Sequence, residues 1–106
     1  DISYGQWFKE QIISTPGFEL AAPAPLNLVC FRINPNGERD EDKLESINKQ
    51  LLQKLNDSGK ILLNQTKLNE KYVLRFVAGQ THANLENVQS GWKLIREFAR
   101  EFLDPE

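Results

Sequence analysis

A small α+β fold is predicted for this chain: a three- to four-stranded, mostly antiparallel sheet with helices packed on one face. Three observations predict it. Apolar residues recur at helical spacing in three segments. Short apolar runs of strand length lie between them. Proline, glycine and asparagine signals separate these in the order α-β-α-β-β-α. The chain has 106 residues, 40% of them hydrophobic and 26% charged, which suits one domain over 1–106 with a modest core.

The opening segment "SYGQWFKEQIIS" places Tyr4, Trp7, Phe8, Gln11 and Ile12 at near-helical spacing, with Ser3 as N-cap. "TPG" at 15–17 stops it, because Pro16 disfavours helix at Thr15 and Gly17 permits a turn. "FELAAPAP" is extended, and its prolines confine it to an edge or a connector, with a short strand-like piece near 18–21. "LNLVCFRI", 26–33, is apolar and short, bounded by Pro25 and by the turn "NPNG", and is predicted as a strand.

An amphipathic helix runs from about Asp40 to Asp57, with Leu44, Ile47, Leu51 and Leu55 on its apolar face and Gly59 past its C-terminus. "KILLNQTKL" and "KYVLRFVAG" are two strands, 60–67 and 71–79, joined by a tight turn at Asn69-Glu70. The last helix spans about Asn84 to Leu103. Leu85, Val88, Trp92, Ile95, Ala99 and Phe102 form its stripe, and Thr81 or Asn84 caps it. A right-handed crossover through the 40–57 helix makes strand 26–33 parallel to strand 60–67. Strand 71–79 is antiparallel to the latter and lies between the two.

Charge and motifs exclude several function classes. The net charge is −2 and the basic residues are dispersed, so no footprint for nucleic acid is present. No apolar run approaches a membrane span, and no signal-peptide pattern opens the chain. Cys30 is the single cysteine. It has no partner for an intrachain disulfide, fits a reducing cytoplasm, and is read as a small core residue. His82 is the single histidine and sits in the loop "GQTH" as polar surface, with no second ligand for a metal. No Ser-His-Asp, Cys-His or phosphate-cradling pattern is visible, so no catalytic, cofactor-binding or metal residue is assigned to this chain.

Two arginines stand out. On strand 71–79, Tyr72, Leu74, Phe76 and Ala78 share one face, while Val73, Arg75 and Val77 share the other. Both faces are largely apolar, and the helices of so small a domain cover one. Arg75 therefore faces either a carboxylate within the domain, or a partner domain or anionic ligand. Arg32 ends its strand beside a turn, where its guanidinium is expected to reach water.

Several stretches, in order, resemble the C-terminal end of the group II pyridoxal-5′-phosphate-dependent decarboxylases, most closely the aromatic-L-amino-acid and tyrosine decarboxylase branch. They are "FEL" before the proline-containing connector, "LVCFR" on a strand, "N-x-SGK" closing a helix, "LRF" on a strand, "GQTH" before the last helix, and "V-x-x-x-W" within it. The resemblance covers nearly the whole chain. It implies the small C-terminal domain of a longer enzyme with the aspartate-aminotransferase-type fold (fold type I). The opening at "DISYGQWFKE" fits a piece of such an enzyme.

The family's cofactor lysine lies in a His-Lys motif of the large domain, whereas His82 is followed by Ala83. The chain alone is thus expected to be inactive. The parent is expected to be a cytoplasmic homodimer that converts an L-amino acid to an amine and carbon dioxide with pyridoxal 5′-phosphate. The partner of this chain is then the large cofactor-binding domain of the same protein. The resemblance further implies that Arg75 points to the domain interface or to a substrate carboxylate. The competing hypothesis is a stand-alone α+β module that binds a ligand or dimerises without catalysis.

Overall fold

The computed structural model describes residues 3–21, 27–78 and 84–104. Helix α1 (Tyr4–Ser14) leads to strand β1 (Phe18–Leu20) and strand β2 (Leu28–Ile33). A 3-10 turn (Pro35–Gly37) precedes helix α2 (Glu41–Asp57), strands β3 (Asn64–Leu68) and β4 (Lys71–Val77), and helix α3 (Leu85–Leu103). The sheet order is β1-β2-β4-β3, every neighbouring pair antiparallel. β2 and β3 are both antiparallel to β4 and so run parallel to each other. This is the crossover topology expected from the sequence, with the apolar β4 in the interior of the sheet.

Local chemistry explains the element ends. The Ser3 hydroxyl accepts from the Gln6 N–H, and the Asp40 carboxylate accepts from Asp42 and Lys43. The Asn84 side chain accepts from Asn87, so Asn84 is the cap of α3. Thr81 and His82 lie outside the described residues. Asn69 and Glu70 have φ of 51° and 65°, the paired left-handed conformation whose twist suits a two-residue hairpin. Gly17 has φ +86°, and a Cβ there would lie 2.8 Å from a Leu103 methyl. Glycine thus both makes the turn after α1 and lets the end of α3 close over it.

The strand expected over 60–67 begins only at Asn64. The N–H of Leu63 donates to the Asn56 side-chain oxygen at 2.9 Å, and its carbonyl accepts from the Asn56 amide at 3.1 Å. The backbone groups that a ladder would have used are thus held by a helix side chain. The same device closes β2. The pairing of β2 with β4 ends at Phe31↔Leu74. Beyond it, the Ile33 N–H donates to Asn48 Oδ1 at 2.9 Å, and the Ile33 carbonyl accepts from Asn48 Nδ2 at 3.0 Å.

All three helices pack on the face of the sheet that carries Phe18, Val29, Phe31, Ile33, Tyr72, Leu74 and Phe76, and these side chains join one core. Phe8 of α1 stands at its centre. Its ring stacks on Phe76 at 4.5 Å and meets Trp92 edge-on at 5.5 Å, and Trp92 also meets Phe18 at 5.0 Å. On α2 the buried residues are Leu44, Asn48, Leu51 and Leu55, with Ile47 only partly buried. On α3, Val88, Trp92, Ile95 and Ala99 are buried and Leu85 is exposed.

Candidate functional site

The face of the sheet turned away from the helices carries the unusual chemistry. Alternation puts Glu19 of β1, Cys30 and Arg32 of β2, Val73, Arg75 and Val77 of β4, and Asn64 and Thr66 of β3 on that outer face. The register lines them up in rows. Glu19 pairs with Arg32 across β1 and β2, Arg75 lies between Cys30 and Asn64, and Leu28 lies opposite Val77.

Arg32 does not reach water as its strand-end position suggested. It is only 8% exposed. Its Nε donates to Glu19 Oε1 at 2.9 Å, and its Nη1 donates to Glu41 Oε1 at 2.7 Å. The Asn34 amide donates to the other oxygen of Glu19 at 2.9 Å. Burial pulls the Arg32 pKa down, but the hydrogen bonds to Glu41 and Glu19 outweigh it and push the pKa above its ordinary value. Edge strand, inner strand, loop and the start of α2 are thereby tied to one guanidinium. The partners come from sequence positions before and after the strand, so the linear pattern around Arg32 does not reveal them.

Arg75 is different. It is partly buried in the middle of β4, and among the described residues no carboxylate pairs with it. Its neighbours across the sheet are the neutral Cys30 and Asn64. Cys30 is buried. Burial pushes its thiol pKa up, and the charge of Arg75 opposes that shift in part. A shallow depression of about 340 Å³ opens on the neighbouring row, bordered by Glu19, Arg32, Lys71 and Val73, with Leu68 and Asn69 of the hairpin. Arg75 does not line it. No group of three or more His, Cys, Asp or Glu side chains is placed to hold a metal among the described residues. No described helix is long and apolar enough to cross a membrane.

No family model matches the chain. Two curated proteins match it over 97% of its length: a tryptophan decarboxylase of Camptotheca acuminata at 39% identity and a tyrosine decarboxylase of Petroselinum crispum at 36%. The chain spans only about a fifth, 21%, of either one. In fold it is similar to the Oryza sativa TDC solved with PLP and tryptamine. The TM-score is 0.88 at 27% identity, over 97% of this chain and 22% of that one. The helix layer and the antiparallel sheet thus recur in a solved protein. In sequence and in fold the chain is similar to the C-terminal domain of the group II pyridoxal-5′-phosphate-dependent decarboxylases.

Proposed function

We propose that residues 1–106 form the small C-terminal domain of a cytoplasmic, homodimeric carboxy-lyase that converts an aromatic L-amino acid to its amine and carbon dioxide. The observation that carries this reading is the match to aromatic amino-acid decarboxylases over nearly the whole chain. The cofactor of such an enzyme is pyridoxal 5′-phosphate, which supplies an electron sink for the bond to the departing carboxylate. The described residues do not fit that cofactor by themselves. None of their lysines is buried. Lys71, which borders the depression, is exposed, with the anionic Glu19 across it. No step is therefore assigned to a lysine of this chain.

What the chain supplies is a rigid wall. Arg32, held by Glu19 and Glu41, fixes the shape of the outer face. Arg75 offers a guanidinium to a carboxylate of the substrate or of the large domain. The test is to express the complete open reading frame, supply pyridoxal 5′-phosphate and measure carbon dioxide and amine from aromatic L-amino acids. Release of both is expected from the complete protein. The 106-residue chain alone should show no turnover and no borohydride-reducible adduct on any one lysine. A complete, cofactor-loaded protein that releases no carbon dioxide would refute the reading.

A further inference from the structure

We propose that Asn36 and Gly37, in the turn between β2 and α2, form a site of spontaneous deamidation and backbone isomerisation, and that the Asn34 side chain sets its rate. This modification needs no enzyme and is independent of the reaction proposed for the complete protein.

The Gly37 amide nitrogen is the nucleophile. It attacks Asn36 Cγ and closes a succinimide ring. The side-chain nitrogen of Asn36 leaves as ammonia and takes the Gly37 proton with it. Water then opens the ring at either carbonyl. One opening gives aspartate; the other gives isoaspartate, whose main chain is one carbon longer. A side chain on the residue after asparagine obstructs the attack, and glycine has none. No other asparagine of the chain precedes glycine. Asn36 and Gly37 are both exposed, and a Cβ at Gly37 would meet nothing within 4 Å, so the turn is open to solvent on that side.

The backbone decides when this happens. Asn36 has φ 58° and ψ 29°, the left-handed conformation that asparagine tolerates better than most residues. At that ψ the Gly37 nitrogen lies on the far side of the Cα–C bond from Cβ. Ring closure needs the two on the same side, so the folded turn holds the reactants apart and must open locally before they meet. Asn34 resists that opening. Its Oδ1 accepts from the Glu38 N–H at 2.7 Å, and its Nδ2 donates to the Glu38 carbonyl at 3.2 Å, which ties the two ends of the turn together. Nδ2 also donates to Glu19 at 2.9 Å, the carboxylate that holds Arg32. Isoaspartate lengthens the chain between the tied residues and adds a carboxylate close in sequence to Glu38, Asp40 and Glu41. The clamp then loses its register, and like charges accumulate beside it. Asn69 is the internal comparison. It is exposed and left-handed at φ 51°, but Glu70 follows it in the hairpin.

The experiment uses the complete protein. It is incubated at neutral pH over weeks, native and unfolded in denaturant, and digested at intervals. Mass follows each asparagine peptide for conversion of amide to acid. Isoaspartate is read by methyl transfer from S-adenosylmethionine, catalysed by an isoaspartyl methyltransferase. In the native protein Asn36 is expected to convert ahead of every other asparagine of the chain, Asn69 included, and to yield isoaspartate. Asn34→Ala should speed the conversion about five- to ten-fold, the rate equivalent of one lost hydrogen bond. Urea below the unfolding midpoint should act in the same direction if that variant does not fold. The converted protein, separated by its added charge, should melt below the unconverted protein. A native Asn36 still amidated when the unfolded sample has converted would overturn the site. One rate with and without the Asn34 side chain, or with and without urea where that variant does not fold, would overturn the control by Asn34. Equal melting temperatures would overturn the loss of the clamp.

Discussion

Asn48 is completely buried, and replacing it tests whether its amide really stands in for a missing strand. The side chain accepts from the Ile33 N–H and donates to the carbonyls of Ile33 at 3.0 Å and Leu44 at 2.8 Å. Asn48→Leu leaves the Ile33 N–H and C=O buried without partners, at about 1–3 kcal/mol each. The carbonyl of Leu44 keeps its helical partner. Leucine's own burial offsets about 1.5–3 kcal/mol, so the net loss is about 2 kcal/mol. Asn48→Asp has nearly the same shape but turns the donating nitrogen into an acceptor facing two carbonyls. A buried carboxylate there costs about 4 kcal/mol or more, and the carboxyl escapes only by holding a proton.

Its folded pKa is thus raised above the unfolded value of about 3.9. The stability of Asn48→Asp is then fully present below about pH 4 and is lost as pH rises through the folded pKa. Denaturant unfolding of both variants at pH 7 and pH 4.5 measures this. Asn48→Asp should be the weaker at pH 7, with the gap narrowing at the lower pH. Equal midpoints of the two variants at both pH values would refute the amide's role.

Two further outcomes follow from the same structure. Trp92→Ala removes a ring packed against Phe8 and Phe18 and should cost about 3–5 kcal/mol, read from the urea midpoint; an unchanged midpoint would contradict the packing. Burial raises the pKa of Tyr72, with help from Glu45, and burial raises that of Cys30. Both groups therefore support the fold below their unfolded pKa values of about 10 and 8.5 and withdraw that support as pH rises past them. Thermal midpoints should fall from about pH 8.5 upward, and Tyr72→Phe together with Cys30→Ala should flatten the decline.

Much of the architecture was legible in the sequence because it depends on local signals. The Ser3 cap, the Asn69-Glu70 turn, and the alternation that separates Arg75 from Leu74 and Phe76 are all nearest-neighbour chemistry. Three features escaped. The α2 stripe of Leu44, Ile47, Leu51 and Leu55 was drawn from hydrophobicity, which scores asparagine as outward. Yet position 48 falls in the progression 44-48-51-55, and the polar residue at that point was the available clue. The apolar "ILL" at 61–63 looked like strand because a pattern cannot show that Asn56 takes the Leu63 backbone groups. The pairing of Arg32 required Glu19 and Glu41 to be brought together by the sheet and the crossover, and neither carboxylate is marked by its own sequence neighbours. For the candidate site, the exposed side of the sheet followed from period two alone. Which of its arginines is neutralised within the chain did not.

The two asparagines of α2 constrain the chain in a way that neither contact does alone. Asn48 grips the residue that ends β2 and Asn56 grips the residue before β3, so the helix is indexed at two points eight residues, or about 12 Å, apart. Adding or deleting one residue between them would turn one amide by about 100° relative to the other and release one of the two grips. This crossover therefore behaves as a gauge of fixed length. Insertions elsewhere, such as in the loop ahead of Asp40, leave both grips in register, whereas the interval from 49 to 55 does not admit changes in residue number.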